Sequence, residues 1–556
     1  MNNKFKYLVF VMSAVALLNS CEDDNDGPNY GNGGATGTSV SLKDSSPVTI
    51  GMETDYAALE DANYLQTAAA NASQTTFGYT MTHSAVVQND GTFGFSMANT
   101  QMNAVNAAGL KVWGRNLCWY QKQNAYYIKN FAGLGDPANV LADGNPDFED
   151  WDDNQAIGWL YENGLSNSGG AYCTYTQATD KYHGNSAMAI TSLRTSSSQL
   201  WQIQLSSTAF PTIKDHEYSV NFYAKASTSG CKYQGEWDHK GSAIYTGGKD
   251  LSTDWTKYTM VFGDGGLNPK GTGNPVVICF DMAGSPVGAV VYLDNITIVD
   301  ETQAKNDADP ENQLARLNEA FENWVTGIVT YYKGKVVGWD VVNELFADDG
   351  SIRTNNNTAN ASATDWFVWS HYLGENIGVK AFSIAHAADP DALLFINESG
   401  LESNSKKLDA FIEYVKWLKG QGAPVNGIGV EMHINIATAI AGVDYMFQKL
   451  AAIDPNLKIR ISGLDVSVNR FAGTSASSSF TLTPQVLEFQ AVTYHDVVAS
   501  YLRNVPEKQR QDITIWGVND PTSWKYNNGT DFPLLFDENY RTKPAFDGFL
   551  QALKGK

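Results

Sequence analysis

The sequence predicts an α/β protein: a (β/α)8 barrel interrupted once by an inserted all-β sandwich. Three observations lead there. Eight short β-branched or apolar runs recur after residue 47. Helical patterns lie between most of them, and strands alternating with helices build parallel sheets. Between the third and fourth runs, residues 144–300 show alternating stretches and turn residues but no convincing helix.

The barrel strands are expected, in order, at Val48–Met52, Thr76–Met81, Lys111–Trp119, Val336–Asn343, Ala392–Ile396, Gly427–Ile434, Lys458–Asp465 and Ile513–Val518. Helices are expected between them, for example Asn312–Tyr332 and Ser405–Lys419. The sandwich strands include SAMAITSL, EYSVNFYAKA, KYTMVFG and VVYLDNITIV, all of period 2. They form a unit, residues 142–301, inserted into a βα loop and dividing the barrel into 48–141 and 302–556.

Ahead of the barrel, Lys4 and Lys6 precede an apolar run from Tyr7 to Leu18, a signal-peptide core too short for a stable membrane span. LNSC at Leu18–Cys21 resembles a bacterial lipobox, which implies removal of residues 1–20 and acylation of the Cys21 thiol. The alternative is an ordinary signal peptide with a coincidental cysteine. Glu22, Asp23, Asp24 and Asp26 resemble the surface-export signal of Bacteroidetes lipoproteins, or else are a solvated linker. Residues 21–47, rich in Gly, Ser, Asn and Asp, read as a flexible tether. The expected place is the outer membrane, with a lipid anchor and the chain facing the cell exterior.

Composition narrows the partners. At 556 residues the chain exceeds one compact domain, and 43% hydrophobic with 18% charged residues excludes wholesale disorder. A net charge of −22 repels phosphate backbones, so no nucleic acid partner is expected. The five cysteines form no CxxC pair and the eight histidines no HExxH helix signature. A barrel with a tethered sandwich requires no partner chain, so a monomer is expected. Aromatic residues reach 12%; flat rings stack on sugars but also fill cores.

The chemistry-bearing motifs fall at strand ends, where barrels place their sites. They are WDVVNEL (Trp339–Leu345), GIGVEMHI (Gly427–Ile434), IRISGLDVSV (Ile459–Val468), WGVNDPTSW (Trp516–Trp524) and PLLFDENYRTKPAF (Pro533–Phe546). Over residues 48–130 and 301–553 this series resembles glycoside hydrolase family 10, the endo-β-1,4-xylanases. The resemblance implies a substrate of xylan or a related plant polysaccharide, cleaved without a cofactor by two carboxylates flanking a glycosidic bond. It gives Glu344 the acid/base role and Asn343 the contact to the sugar 2-hydroxyl. It further implies substrate contacts from His433, Trp119, Trp516 and Trp524. Apart from that resemblance, a Glu at a strand end is more often a surface residue.

The pattern then departs. Where the family carries Thr-Glu-Leu-Asp with the Glu as nucleophile, this chain has Ser462-Gly463-Leu464-Asp465. Glycine supplies no attacking oxygen, and Asp465 reads as structural. Gly114-Arg115-Asn116 replaces Gly-His-Thr/Ser, Trp119-Tyr120 replaces Trp-His, and Glu431-x-His433 replaces Gln-x-His. Tyr79 and Thr82 stand where the family grips the distal sugar with Asn and Lys, and Arg115 is also among the expected substrate-binding residues. Two hypotheses follow. In one, Glu431 replaces the missing catalytic carboxylate and works with Glu344. In the other, the barrel is catalytically inactive and captures xylan-like chains at the cell surface.

In the insert, NPDFEDW, HGNSAMAI and VYLDNITIVDE resemble carbohydrate-binding modules of the jelly-roll class, families 4, 9 and 22. Trp201, Tyr223, Tyr233 and Trp237 are candidates for a sugar-stacking platform, some of them belonging to the core. The resemblance also implies a structural calcium near Glu149 and Asp294, whose hard oxygens suit that ion. A hydrogen-bonded turn without metal is the alternative.

Overall fold

The computed structural model describes residues 40–164, 170–239, 241–263, 266–469, 480–526 and 529–556. The signal peptide, Cys21 and the tether up to residue 39 lie outside the described residues.

Eight parallel strands close a barrel: β1 (Thr49–Thr54), β2 (Gln74–Phe77), β3 (Lys111–Gly114), β4 (Val336–Asn343), β5 (Leu393–Ser399), β6 (Gly427–Asn435), β7 (Lys458–Ser467) and β8 (Arg510–Ile515). They neighbour one another in chain order, and β8 returns to β1 with Thr514 opposite Gly51. Each expected run supplies one strand, although several ends move. The third strand stops at Gly114, where a side chain would run into the Trp339 ring. The chain beyond it still follows β4, with Leu117 N donating to Asp340 O at 3.0 Å and Cys118 N to Val341 O at 2.8 Å. Conversely, β5 runs past Ile396 through buried Asn397 and Glu398.

Barrel strands are covered on both faces, so they read as continuous apolar runs. Trp113 and Trp339 fill the interior with no exposure. Arg460 of β7 crosses that interior fully buried, donating from Nε to Asp512 at 3.0 Å and from Nη1 to Asp340 at 3.2 Å. Burying a guanidinium is tolerable only with such complete pairing. The outer helices start where the chain provides caps. Asp309 accepts from Glu311 N at 2.8 Å ahead of helix Pro310–Tyr331, and Asn404 accepts from Lys407 N at 3.1 Å ahead of Ser405–Gly420.

The packed barrel begins before residue 48. Leu42–Ser45 makes one helical turn, Leu42 is fully buried, and Ser41 Oγ donates to Ala70 O at 2.7 Å. A lone leucine among polar residues gives no periodicity to read.

The insert is two antiparallel sheets over a core of its own. One sheet orders Thr256–Met260, Tyr218–Ala226, Val290–Asp300, Ala187–Ser192 and Cys173–Ala178. The other orders Ser242–Tyr245, Lys232–His239, Val277–Asp281, Ile203–Ser207 and Trp159–Asn163. Phe222, Leu293, Leu205, Ile278 and Phe280 meet between them. Its two ends are stitched together, because Asn139 Nδ2 donates to Ile296 O at 2.8 Å and Ile298 N returns a bond to Asn139 Oδ1 at 2.9 Å.

Candidate active site

The C-terminal ends of the barrel strands surround a cavity of about 400 Å³. It is lined by Arg115, Trp119, Glu344, Glu431, His433, Trp516 and Trp524, all singled out by the sequence. Glu53, Asp55 and Tyr79 line it as well.

Glu344 follows the last residue of β4 and is held at φ 49°, a left-handed conformation that is strained for a non-glycine residue. Two bonds hold it there: Glu344 N donates to Asn397 O at 3.0 Å, and Arg353 Nε donates to Glu344 O at 2.9 Å. Its carboxylate accepts from Trp119 Nε1 at 2.7 Å. Asn343, one residue earlier, is buried beside Glu431 Oε1 (3.2 Å) and Asn116 Nδ2 (3.0 Å).

A bulge at Ser462 of β7 sets Gly463 opposite Glu431. The pairing of β6 with β7 slips between Val430 and Glu431, so Val430 faces Ile461 while Glu431 faces Gly463. Bulges of this kind re-aim side chains next to functional sites. Glu431 Oε1 accepts from Asn397 Nδ2 at 2.7 Å, and Ser462 Oγ donates to the other end of that amide at 2.6 Å. Burial first, and then the charge of Glu344, push the Glu431 carboxyl well above the usual range against the opposing pull of Arg115. Gly463 faces the same space: a Cβ there would sit 3.1 Å from the Trp516 ring and 3.3 Å from His433.

His433 joins Glu431 to a buried carboxylate. Its Nε2 lies 3.5 Å from Glu431 Oε2, and its Nδ1 lies 2.7 Å from Asp465 Oδ2. Asp465 is fully buried, which raises its pKa, but His433 and Lys525 outweigh that and hold the carboxyl below its ordinary value. Lys525 Nζ lies 2.6 Å from Asp465 Oδ1, and Trp524 Nε1 donates to Oδ2 at 3.0 Å. An ionised Asp465 only accepts, so it takes an N–H from His433 Nδ1 and leaves Nε2 directed toward Glu431.

Arg115 is buried, donates from Nη1 to Phe77 O at 3.4 Å, and stacks over Trp516 (4.9 Å) and Trp119 (5.4 Å). Glu53 was missed by sequence reasoning. It is buried on β1, and desolvation, with Asp55 adding to it, pushes its carboxyl up to about 8 while Arg115 opposes. The available signal was an acid directly ending the apolar run TIGM. Asn397 and Glu398 on β5 were also missed; Glu398 pairs with buried Lys407 at 2.8 Å.

The insert carries a second concavity, about 990 Å³, on the outer face of the sheet that contains Lys232–His239. Trp201, 43% exposed, and Tyr245 flank Gln204, Glu236 and Asp281 there. Gln204 Nε2 donates to Glu236 at 3.1 Å and to Asp281 at 2.8 Å. Burial raises both acids, Glu236 to about 7 and Asp281 to about 6. Trp237 does not join this face, contrary to the expectation. Strand alternation turns Trp237 and Tyr233 inward, where Trp237 is 2% exposed against Phe210 and Tyr218. Tyr223 stacks on Tyr182 at 3.5 Å, on the other sheet.

Glu149 and Asp294 are filled by backbone donors. Glu149 Oε1 accepts from Ser186 N at 2.9 Å, and Asp294 Oδ2 accepts from Tyr182 N and His183 N, both at 2.8 Å. Among the described residues no group of three or more His, Cys, Asp or Glu is arranged to hold a metal ion.

Comparison with known proteins gives a consistent neighbourhood. The sequence model of glycosyl hydrolase family 10 matches residues 40–141 and 297–552, more than half of the chain and on either side of the insert. Endo-1,4-beta-xylanase A of Cellvibrio japonicus is 34% identical over 251 residues, 44% of this chain and 41% of that protein. A beta-1,4-xylanase of Dictyoglomus thermophilum is 33% identical over 242 residues, 42% of this chain and 62% of its own length. The chain thus spans less than two thirds of either relative's length. Among solved structures, a thermostable mutant of the xylanase Xyn10A from Cellvibrio japonicus superposes with a TM-score of 0.53 at 20% identity, covering 93% of this chain and 100% of that one. At that identity the likeness shows the shared barrel fold.

Proposed function

Because the chain belongs to glycosyl hydrolase family 10, we propose that it is a cell-surface hydrolase of the endo-β-1,4-xylanase type, with Glu344 as acid/base and Glu431 as its second carboxylate. The observation that carries this reading is the convergence of both carboxyls on one cavity, with Glu431 backed by His433 and Asp465.

Hydrolysis of a glycosidic bond needs one carboxyl that gives a proton to the leaving oxygen and one carboxylate that attacks the sugar or activates water. Glu431 holds its proton in the free site, since burial and Glu344 both favour the neutral form. To act as the carboxylate it must release that proton. His433 is placed to take it: Nε2 faces Glu431, and Asp465 on Nδ1 stabilises the imidazolium that results. The 3.5 Å separation is long, as catalytic hydrogen bonds often are before substrate binds. Glu344, with a proton taken up from solvent as Glu431 becomes the ionised partner, then protonates the leaving group, and Asn343 beside it serves the sugar 2-hydroxyl, a contact that strengthens as positive charge develops. Trp119, Trp516 and Trp524 supply apolar faces for sugar rings.

The insert fits the role of a carbohydrate-binding module, holding polysaccharide in the groove flanked by Trp201 and Tyr245. An acylated Cys21 would keep the chain at the outer membrane, facing outward.

A second reading rests on Gly463. If that position is the family's nucleophile site, the barrel has lost its attacking oxygen and serves as a glycan-binding cleft. Reducing-end release from a panel of xylans separates the two: the hydrolase reading expects turnover by the native chain and its loss in Glu344→Gln. Absence of turnover on every xylan, with binding retained, supports the cleft.

A further inference from the structure

The hydrolytic account leaves one buried carboxyl of the cavity unused. Glu53 is 7% exposed, lines the cavity, and receives no hydrogen bond from the described residues. Its seat is shaped for it: a Cβ at Gly78 would overlap Glu53 Oε1 and lie 3.3 Å from its Cδ, so only glycine leaves the carboxyl room. Arg115 interacts with it across the cavity, itself 8% exposed, with Nε buried and unbonded. Buried polar groups without partners are rare, and one aimed into a cavity points to a ligand that completes it.

We infer that Glu53 and Arg115 form a sugar subsite that holds two adjacent hydroxyls of a neutral pyranose ring. The carboxyl accepts from one hydroxyl while the guanidinium donates to the oxygen of its neighbour. Arg115 stacks on Trp119 and Trp516, so its fork is fixed before the sugar arrives. The inference rests on the reading that the cavity takes glycan, and it holds whether or not the bond is then cut.

Titration calorimetry of the full chain with xylohexaose tests it, in a Trp201→Ala background that silences the groove of the insert. Glu53→Ala is expected to weaken binding by roughly tenfold, the scale of one lost buried hydrogen bond. Glu53→Gln keeps the shape and is expected to lose about threefold, and it decides alone if Glu53→Ala fails to fold. Binding that depends on Glu53 without turnover ends the hydrolase reading and leaves this one standing. Equal affinity in the Glu53 variants, or no binding of xylohexaose at all, overturns it.

Discussion

Glu53→Gln should change how stability depends on pH. Desolvation raises the Glu53 carboxyl from 4.5 to about 8, with Asp55 adding and Arg115 opposing. Tyr64 and Glu431 also interact with this cluster. An acid whose folded pKa is raised prefers its proton in the folded state. Its neutral form is free of penalty below pH 4.5, and stability falls as pH rises through 8. At 1.36 kcal/mol per tenfold, the span from 4.5 to about 8 corresponds to at most roughly 4–5 kcal/mol by pH 9. Glutamine does not titrate, so the variant escapes that loss. Thermal unfolding followed by tryptophan fluorescence should place Glu53→Gln near the native chain at pH 4.5. By pH 9 the variant should lie above it by roughly 5–10 °C for a barrel of this size. Parallel curves across that range would refute the buried, unpartnered carboxyl.

Other perturbations follow from the same contacts. Asp465→Asn strips Lys525 and His433 of their buried counter-ion and should cost about 3–5 kcal/mol in denaturant unfolding. The native Asp465 contribution is present above pH about 3.8, its unfolded value, and should be lost as pH falls below it through the depressed folded value; a chain equally stable at pH 3 and pH 6 contradicts this. Trp201→Ala should weaken retention on xylan in affinity electrophoresis without altering melting, whereas Trp237→Ala, emptying a core site, should lower stability by about 3–5 kcal/mol. Equal retention of both would remove the groove as a binding face. Cys21→Ala should release the protein from the membrane fraction, and unchanged partitioning would end the lipoprotein proposal.

The fold class was legible because parallel barrel strands are buried on both faces and write themselves as apolar runs. The insert was legible because the period changes from helical to 2 at its borders. Strand ends were harder. β5 continues through Asn397 and Glu398, whose polarity mimics a loop although both are buried and bonded at the barrel mouth. Glu53 escaped for the same reason: a buried acid at the end of a strand looks like the start of a turn. The motif residues Trp119, Glu344, Glu431, His433, Trp516 and Trp524 do converge, since they occupy corresponding ends of neighbouring strands. Trp237 shows the limit of composition, because only strand register distinguishes an aromatic that faces sugar from one that faces the core.

The most direct test of the central claim is the rate of reducing-end release from xylan by the native chain and by Glu431→Gln. The account predicts measurable turnover in the native chain and a loss of roughly 10²–10⁴-fold in the variant, the range for a general acid or base. Native turnover that survives Glu431→Gln would contradict it.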